Sequence, residues 1–193
     1  MLIKKEIIWR EILWQSIEKK VRQFTQKELS KKLDFSLSTV FNALKVPRAS
    51  NAIEVSGKFF VVRDQEKFLN IWATFRNINK DIIYQTRVEK PITEIEGLMP
   101  ASVIFTAYSA FRLKFNEAPA DYDKIYVYDA DLEEIKKRFP SKKGNPNLIV
   151  LKPDSELKNY GSTVPLSQIY VDLWNISEWY AKDFLNGLKE KIF

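Results

Sequence analysis

Residues 24–62 read FTQKELSKKLDFSLSTVFNALKVPRASNAIEVSGKFFVV. Thr25 and Glu28, three positions apart, carry the signature of a capping box, and Leu29 and Leu33 then give a short helix its inward edge. Asp34-Phe35-Ser36 breaks that helix. Ser36 can cap a following one, in which Leu37, Val40, Phe41 and Leu44 are expected to face inward while Ser38, Thr39, Asn42 and Lys45 stay outside. Pro47 is read as its stop, because proline cannot donate a backbone bond and crowds the preceding turn. Ile53-Glu54-Val55, a turn at Ser56-Gly57, and Lys58 to Val62 read as two strands around a glycine able to take positive φ.

Upstream, Leu13, Ile17 and Val21 recur every four residues and Ile7, Ile8 and Ile12 extend the apolar surface, which predicts a supporting amphipathic helix over about residues 5 to 22. Helix, helix, tight turn, helix and hairpin is the order of a winged helix-turn-helix. Double-stranded DNA is therefore the leading partner. The outward set Ser38, Thr39, Asn42 and Lys45 suits a helix lying against base edges in the major groove. Arg48, Lys58 and Arg63 would place positive charge at the wing and its flanks, where contacts to phosphate position a protein without specifying sequence. With few base-reading side chains, specific affinity calls for further phosphate contacts, a homodimer or a second copy of the site. A bundle of this kind also serves as a protein-interaction module, and that alternative stays open. From Asp64 to about Phe75, Phe68, Leu69, Trp72 and Phe75 keep helical spacing after an Asp cap; the helix either closes this domain or offers Trp72 and Phe75 to a dimer interface.

Charge supports a division into two domains, 1–78 and 79–193. Residues 1–90 carry eighteen Lys and Arg against ten Asp and Glu, whereas residues 91–193 carry thirteen against fifteen. The net charge of +6 thus originates in the first half. The chain has neither Cys nor His, which excludes disulfides, zinc fingers, thiol nucleophiles and imidazole bases from its own residues. Apolar runs are broken by charges well short of a membrane span, and the N-terminal Lys and Glu residues interrupt any signal-peptide core, so a cytoplasmic protein without membrane contact is expected.

The second half reads as a small mixed α/β domain, giving an α+β chain overall. Expected strands are Ile82 to Tyr84, Lys124 to Tyr128, Asn147 to Leu151 and Gln168 to Leu173. Expected helices are Ala101 to Leu113, Asp131 to Phe139 and Ser177 to Lys191, the last capped by the pair Asn175 and Glu178. No Gly-rich loop precedes a helix, so no nucleotide cofactor is expected. Among the carboxylates Asp121, Asp123, Asp129, Asp131 and Asp172, the pair Asp129 and Asp131 at a strand end has the form of a magnesium site for phosphoryl transfer. Asp131 also stands where a helix cap belongs. The upstream stretch Ala107-Tyr108-Ser109-Ala110 lacks the Gly-Ser turn of a nucleotidyltransferase, so a divergent, metal-dependent enzyme of that kind is the alternative and no catalytic or metal residue is assigned.

The order of these elements, with PASVIFTAYSAFRLKF, DKIYVYDADLEEIKKRF, NPNLIVLKP and QIYVDLWNISEWYAKDFLNGL, resembles the antitoxin family of bacterial and archaeal abortive-infection (type IV) toxin-antitoxin systems over nearly the full length. The resemblance implies an N-terminal repressor of its own promoter and a C-terminal domain that antagonises a nucleotidyltransferase-like toxin. Ser38, Thr39, Asn42 and Lys45 match the DNA-facing side of the recognition helix. Thr106, Ser109 and Ala110 match a helix following a small-residue turn, where Ala107 replaces a frequent Gly, and Tyr170 to Leu173 match a late strand motif.

Overall fold

A computed structural model describes residues 1–193 as a mixed α+β chain. It divides into two compact units: Leu2–Arg76 with Pro165–Val171, and Asn77–Val164 with Asp172–Phe193 and Met1. The sequence predicts a single boundary at residue 78. No helix is long and apolar enough to cross a membrane.

The first unit runs α1 (Lys4–Glu18), β1 (Gln23–Thr25), α2 (Gln26–Leu33), α3 (Leu37–Ala49), β2 (Ile53–Ser56), β3 (Phe59–Val62) and α4 (Gln65–Phe75). The strands form an antiparallel sheet in the order β1-β3-β2. The capping signals act as expected. Thr25 Oγ1 accepts the Glu28 N–H at 3.1 Å while Glu28 Oε2 accepts the Thr25 N–H at 3.2 Å, and the Asp64 carboxylate caps α4 through the Lys67 N–H at 2.8 Å.

Three expectations here need correction. The first helix ends at Glu18 rather than near residue 22, and β1 follows at Gln23–Thr25. Pro47 does not stop α3, which continues to Ala49. Proline at 47 leaves the Ala43 carbonyl without its usual partner four residues on; the Trp9 indole N–H fills that place at 2.8 Å, wholly inside the unit. Finally, Leu37 and Phe41 do not face the core, which takes Val40, Ala43, Leu44 and Pro47 from this helix. Around them Trp9, Phe68 and Trp72 are fully buried, and Trp9 meets the edge of Phe68 with centroids 6.0 Å apart. Phe75 keeps one face in solvent with the Lys5 ammonium 3.6 Å from its centroid, a cation–π contact.

Residues 165–171 return to this unit as the first part of α8 (Leu166–Trp174). The stretch Gln168 to Leu173, expected as a strand, is therefore helical. Ser167 to Leu173 are buried on every side, and a short run buried all round has no polar face whose period could separate helix from strand. Arg10 donates to Gln168 Oε1 at 3.0 Å, and the Tyr170 hydroxyl donates to Asn70 Oδ1 at 2.7 Å.

In the second unit β4 (Ile82–Thr86), β5 (Ile104–Thr106), β6 (Ile125–Tyr128) and β7 (Leu148–Leu151) form a sheet ordered β4-β7-β6-β5. Only the β6–β7 pair is parallel. Alternation sorts side chains between its faces. Ile125, Val127, Leu148 and Val150 enter a core with Ile95 of α5 (Ile92–Gly97) and Ile135 of α7 (Leu132–Arg138). Tyr126 packs instead against Tyr108 of α6 (Ala107–Phe115), and Phe184 of α9 (Ala181–Ile192) touches Tyr108 and Phe111.

The expected helix Ala101 to Leu113 is in fact β5 followed by α6, because Ala107 takes φ +50° and breaks the path between them. The final helix starts at Ala181 without a side-chain cap. Glu178 cannot pair with Asn175 as a cap because its carboxylate accepts from the Tyr108 and Tyr126 hydroxyls at 3.2 Å each and binds Lys124.

Candidate nucleic-acid interface

Three residues, Asp34 to Ser36, separate α2 from α3. Asp34 closes α2 with φ +52°, a left-handed conformation that Asp tolerates better than most residues. Ser30 donates from its hydroxyl to the Phe35 carbonyl at 2.6 Å, and the Phe35 N–H returns to the Ser30 carbonyl at 3.1 Å. This pair of hydrogen bonds between the helix end and the turn fixes the direction in which α3 leaves. Ser36 Oγ then accepts the Thr39 N–H at 3.2 Å and starts α3.

The outward residues differ in how free they are. Ser38 and Thr39 sit in the first turn, each hydroxyl 2.9 Å from Ser36 Oγ. Binding a base would recruit them from that cluster. Asn42 is exposed and its amide has no partner within the chain. Lys45 is exposed with its ammonium 5.4 Å from the Phe41 centroid, and Arg48 is exposed in the last turn without a carboxylate partner. An additional pair belongs to the same surface: Leu37 is 53% and Phe41 48% exposed. Leu37, Phe41, Lys45 and Arg48 follow at spacings of four, four and three, so they form one ridge along α3, apolar in its first half and cationic in its second. The sequence held this signal in the stripe Val40, Ala43, Leu44 and Pro47, which already fills the inward face at helical spacing and leaves Leu37 and Phe41 beside it.

The hairpin of β2 and β3 pairs Ser56 with Phe59, so its connection is Gly57-Lys58. Gly57 has φ +57°, as a two-residue hairpin requires at its first central position. Lys58 is exposed at that tip with no carboxylate partner. Arg63 differs from it, since its Nε lies 2.6 Å from Glu54 Oε2 across the hairpin.

Four of the five candidate aspartates of the second unit are engaged in local structure. Asp129 accepts from Ser102 Oγ at 2.8 Å and from the Asp131 N–H at 2.9 Å. Asp131 Oδ1 accepts the Glu133 and Glu134 N–H groups at 3.1 and 3.3 Å, capping α7. Asp172, fully buried, accepts from Thr106 Oγ1 and the Tyr128 hydroxyl, both at 2.8 Å. No three acidic residues converge as a metal site would require. Asp123 receives the Tyr180 hydroxyl, and Asp121 is exposed.

Compared with protein-family models, curated proteins and solved structures, the chain matches none.

Proposed function

We propose that the first unit is a winged helix-turn-helix and that the chain is a sequence-specific, double-stranded DNA-binding transcriptional regulator acting by occupancy of promoter DNA. The observation that carries this reading is the outward surface of α3. It presents an unpartnered Asn42 amide between a first turn of hydroxyls and the cations Lys45 and Arg48. An Asn side chain matches the N6 and N7 pair of adenine in the major groove, and residues near the start of a recognition helix are those that reach base edges. The tight turn before α3, the sheet order β1-β3-β2 and the excess of Lys and Arg in this half of the chain agree with it. The resemblance to abortive-infection antitoxins adds autorepression, with a nucleotidyltransferase-like toxin as partner of the second unit.

Titration of the full chain with duplex from immediately upstream of its own gene, against scrambled duplex, tests the reading. Asn42→Ala should cost roughly 1 to 3 kcal/mol of preference for the upstream duplex; equal affinity of the unmodified protein for both duplexes overturns sequence-specific binding. Arg48→Ala and Lys58→Ala should each weaken binding to every sequence and flatten the salt dependence by about one phosphate's share. Arg63→Ala should change it less, because Glu54 already holds that guanidinium. A second reading, a protein-docking module, is favoured by the exposed Leu37 and Phe41, and it predicts no salt-dependent DNA binding at all.

A further inference from the structure

We propose that α3 recognises thymine through its 5-methyl group, with Leu37 and Phe41 as the reading side chains, so that the sequence bound has thymines at the steps these residues face. The inference rests on the DNA-binding reading and names the chemistry that the bound sequence must supply.

Leu37 and Phe41 are 53% and 48% exposed on a helix whose inward face is already complete with Val40, Ala43, Leu44 and Pro47. One turn separates them, so they present a continuous apolar strip at the N-terminal half of α3. The same ridge continues into Lys45 and Arg48. Hydrocarbon followed by positive charge matches a duplex groove, where apolar base substituents lie between two lines of phosphate. The apolar substituent on a base edge in the major groove is the thymine methyl group, and side chains such as Phe contact it there. Lys45 holds its ammonium 5.4 Å from the Phe41 centroid. That contact limits how the ring can turn and places a cation over one part of the strip, while Phe41 as a whole stays 48% exposed. Asn42 lies next to Phe41 and offers the adenine-type pairing, which places an A·T requirement on both halves of the readout.

The test begins with the duplex from immediately upstream of the gene and replaces each thymine, one at a time, by deoxyuridine, which lacks only the methyl group. At the contacted positions affinity of the full-length protein should fall about fourfold per methyl, the value of one buried methylene-sized group. In Phe41→Ala or Leu37→Ala, the affected position should become indifferent to the replacement, while Asn42→Ala should keep the sensitivity. This non-additivity identifies a direct contact. Both apolar residues are exposed, so unchanged melting temperatures would establish that the variants remain folded. Binding to the duplex with no position sensitive to deoxyuridine overturns the inference and leaves DNA binding standing. Failure to bind any duplex overturns both. If Phe41→Ala instead changes the mass of the protein in solution and leaves the deoxyuridine profile intact, the strip serves contact between copies of the chain and the inference falls.

Discussion

Both units bury large aromatic rings, but they complete the polar edges of those rings with different chemistry. In the first unit the rings are mostly Trp and Phe, with Tyr170 as the one tyrosine fully buried among them: Trp9 donates to a backbone carbonyl, Trp72 donates to Glu6 at 3.2 Å, and Phe24 stacks on Phe60 with centroids 5.5 Å apart. In the second they are largely tyrosines. Tyr108 and Tyr126 donate to Glu178, Tyr180 to Asp123, and Tyr122 to Glu96 at 2.8 Å while accepting from Arg112 at 3.0 Å. An indole N–H stays a donor throughout the working pH range, whereas a phenol can lose its proton. The second unit therefore carries a pH liability built into its core.

The largest expected effect is alkaline unfolding that begins in the second unit. Burial, reinforced by the hydrogen bond to Glu96, pushes Tyr122 up to about 12. Burial also raises Tyr108 and Tyr126, with the charge of Glu178 adding to it, and raises Tyr180 together with its bond to Asp123. An unfolded tyrosine ionises near pH 10, so above that value the unfolded chain sheds protons that the folded unit retains. The stabilisation is complete below about pH 10 and is lost as pH rises toward 12. Tyrosinate absorbance should rise in one cooperative step as the methyl NMR signals of the second unit collapse, with those of the first unit persisting to higher pH. Gradual ionisation of every tyrosine near pH 10, with all methyl signals unchanged, would break the contrast.

A single-residue comparison sharpens it. Trp9→Phe keeps most of the ring but removes the donor that occupies the Ala43 carbonyl, for which Pro47 supplies no N–H. Leaving that buried acceptor empty should cost about 1 to 3 kcal/mol. Tyr126→Phe should cost less, because Glu178 still receives Tyr108 and Lys124. Denaturant midpoints of the two variants decide, and a larger loss for Tyr126→Phe would mean that the phenol network acts as a unit.

These contrasts were legible in the sequence to different depths. Thr25, Ser36, Asp64 and Asp131 act as caps over two or three residues, so a local pattern is enough to find them. Leu37 and Phe41 flank the inward stripe, and only counting the small Ala43 and the ring of Pro47 into that stripe shows its face to be full without them. The local pattern pairs Glu178 with Asn175 as a cap, whereas tyrosines 70 and 52 residues away take its carboxylate. The return of residues 165–171 to the first unit rests on bonds such as Arg10 to Gln168, 158 positions apart, and no local pattern encodes a partner at that distance.

The smallest effect concerns backbone strain, which the units also distribute differently. The first unit places Asp34 and Asn51 at φ +52° and +60°, residue types that tolerate the left-handed region, and its one less tolerant residue there, Lys20 at φ +60°, is exposed. The second unit places Ala107 at φ +50° between β5 and α6, fully buried. A β-carbon there costs roughly 1 to 2 kcal/mol, while glycine would loosen the unfolded chain by about 0.4 to 1 kcal/mol. Ala107→Gly should therefore stabilise the second unit by up to about 1 kcal/mol, seen as a higher denaturant midpoint with an unchanged slope. Its methyl group packs in the core, and losing that packing works in the opposite direction. A lower midpoint would show that the methyl contributes more than the strain removes, and that this turn selects alanine for its packing.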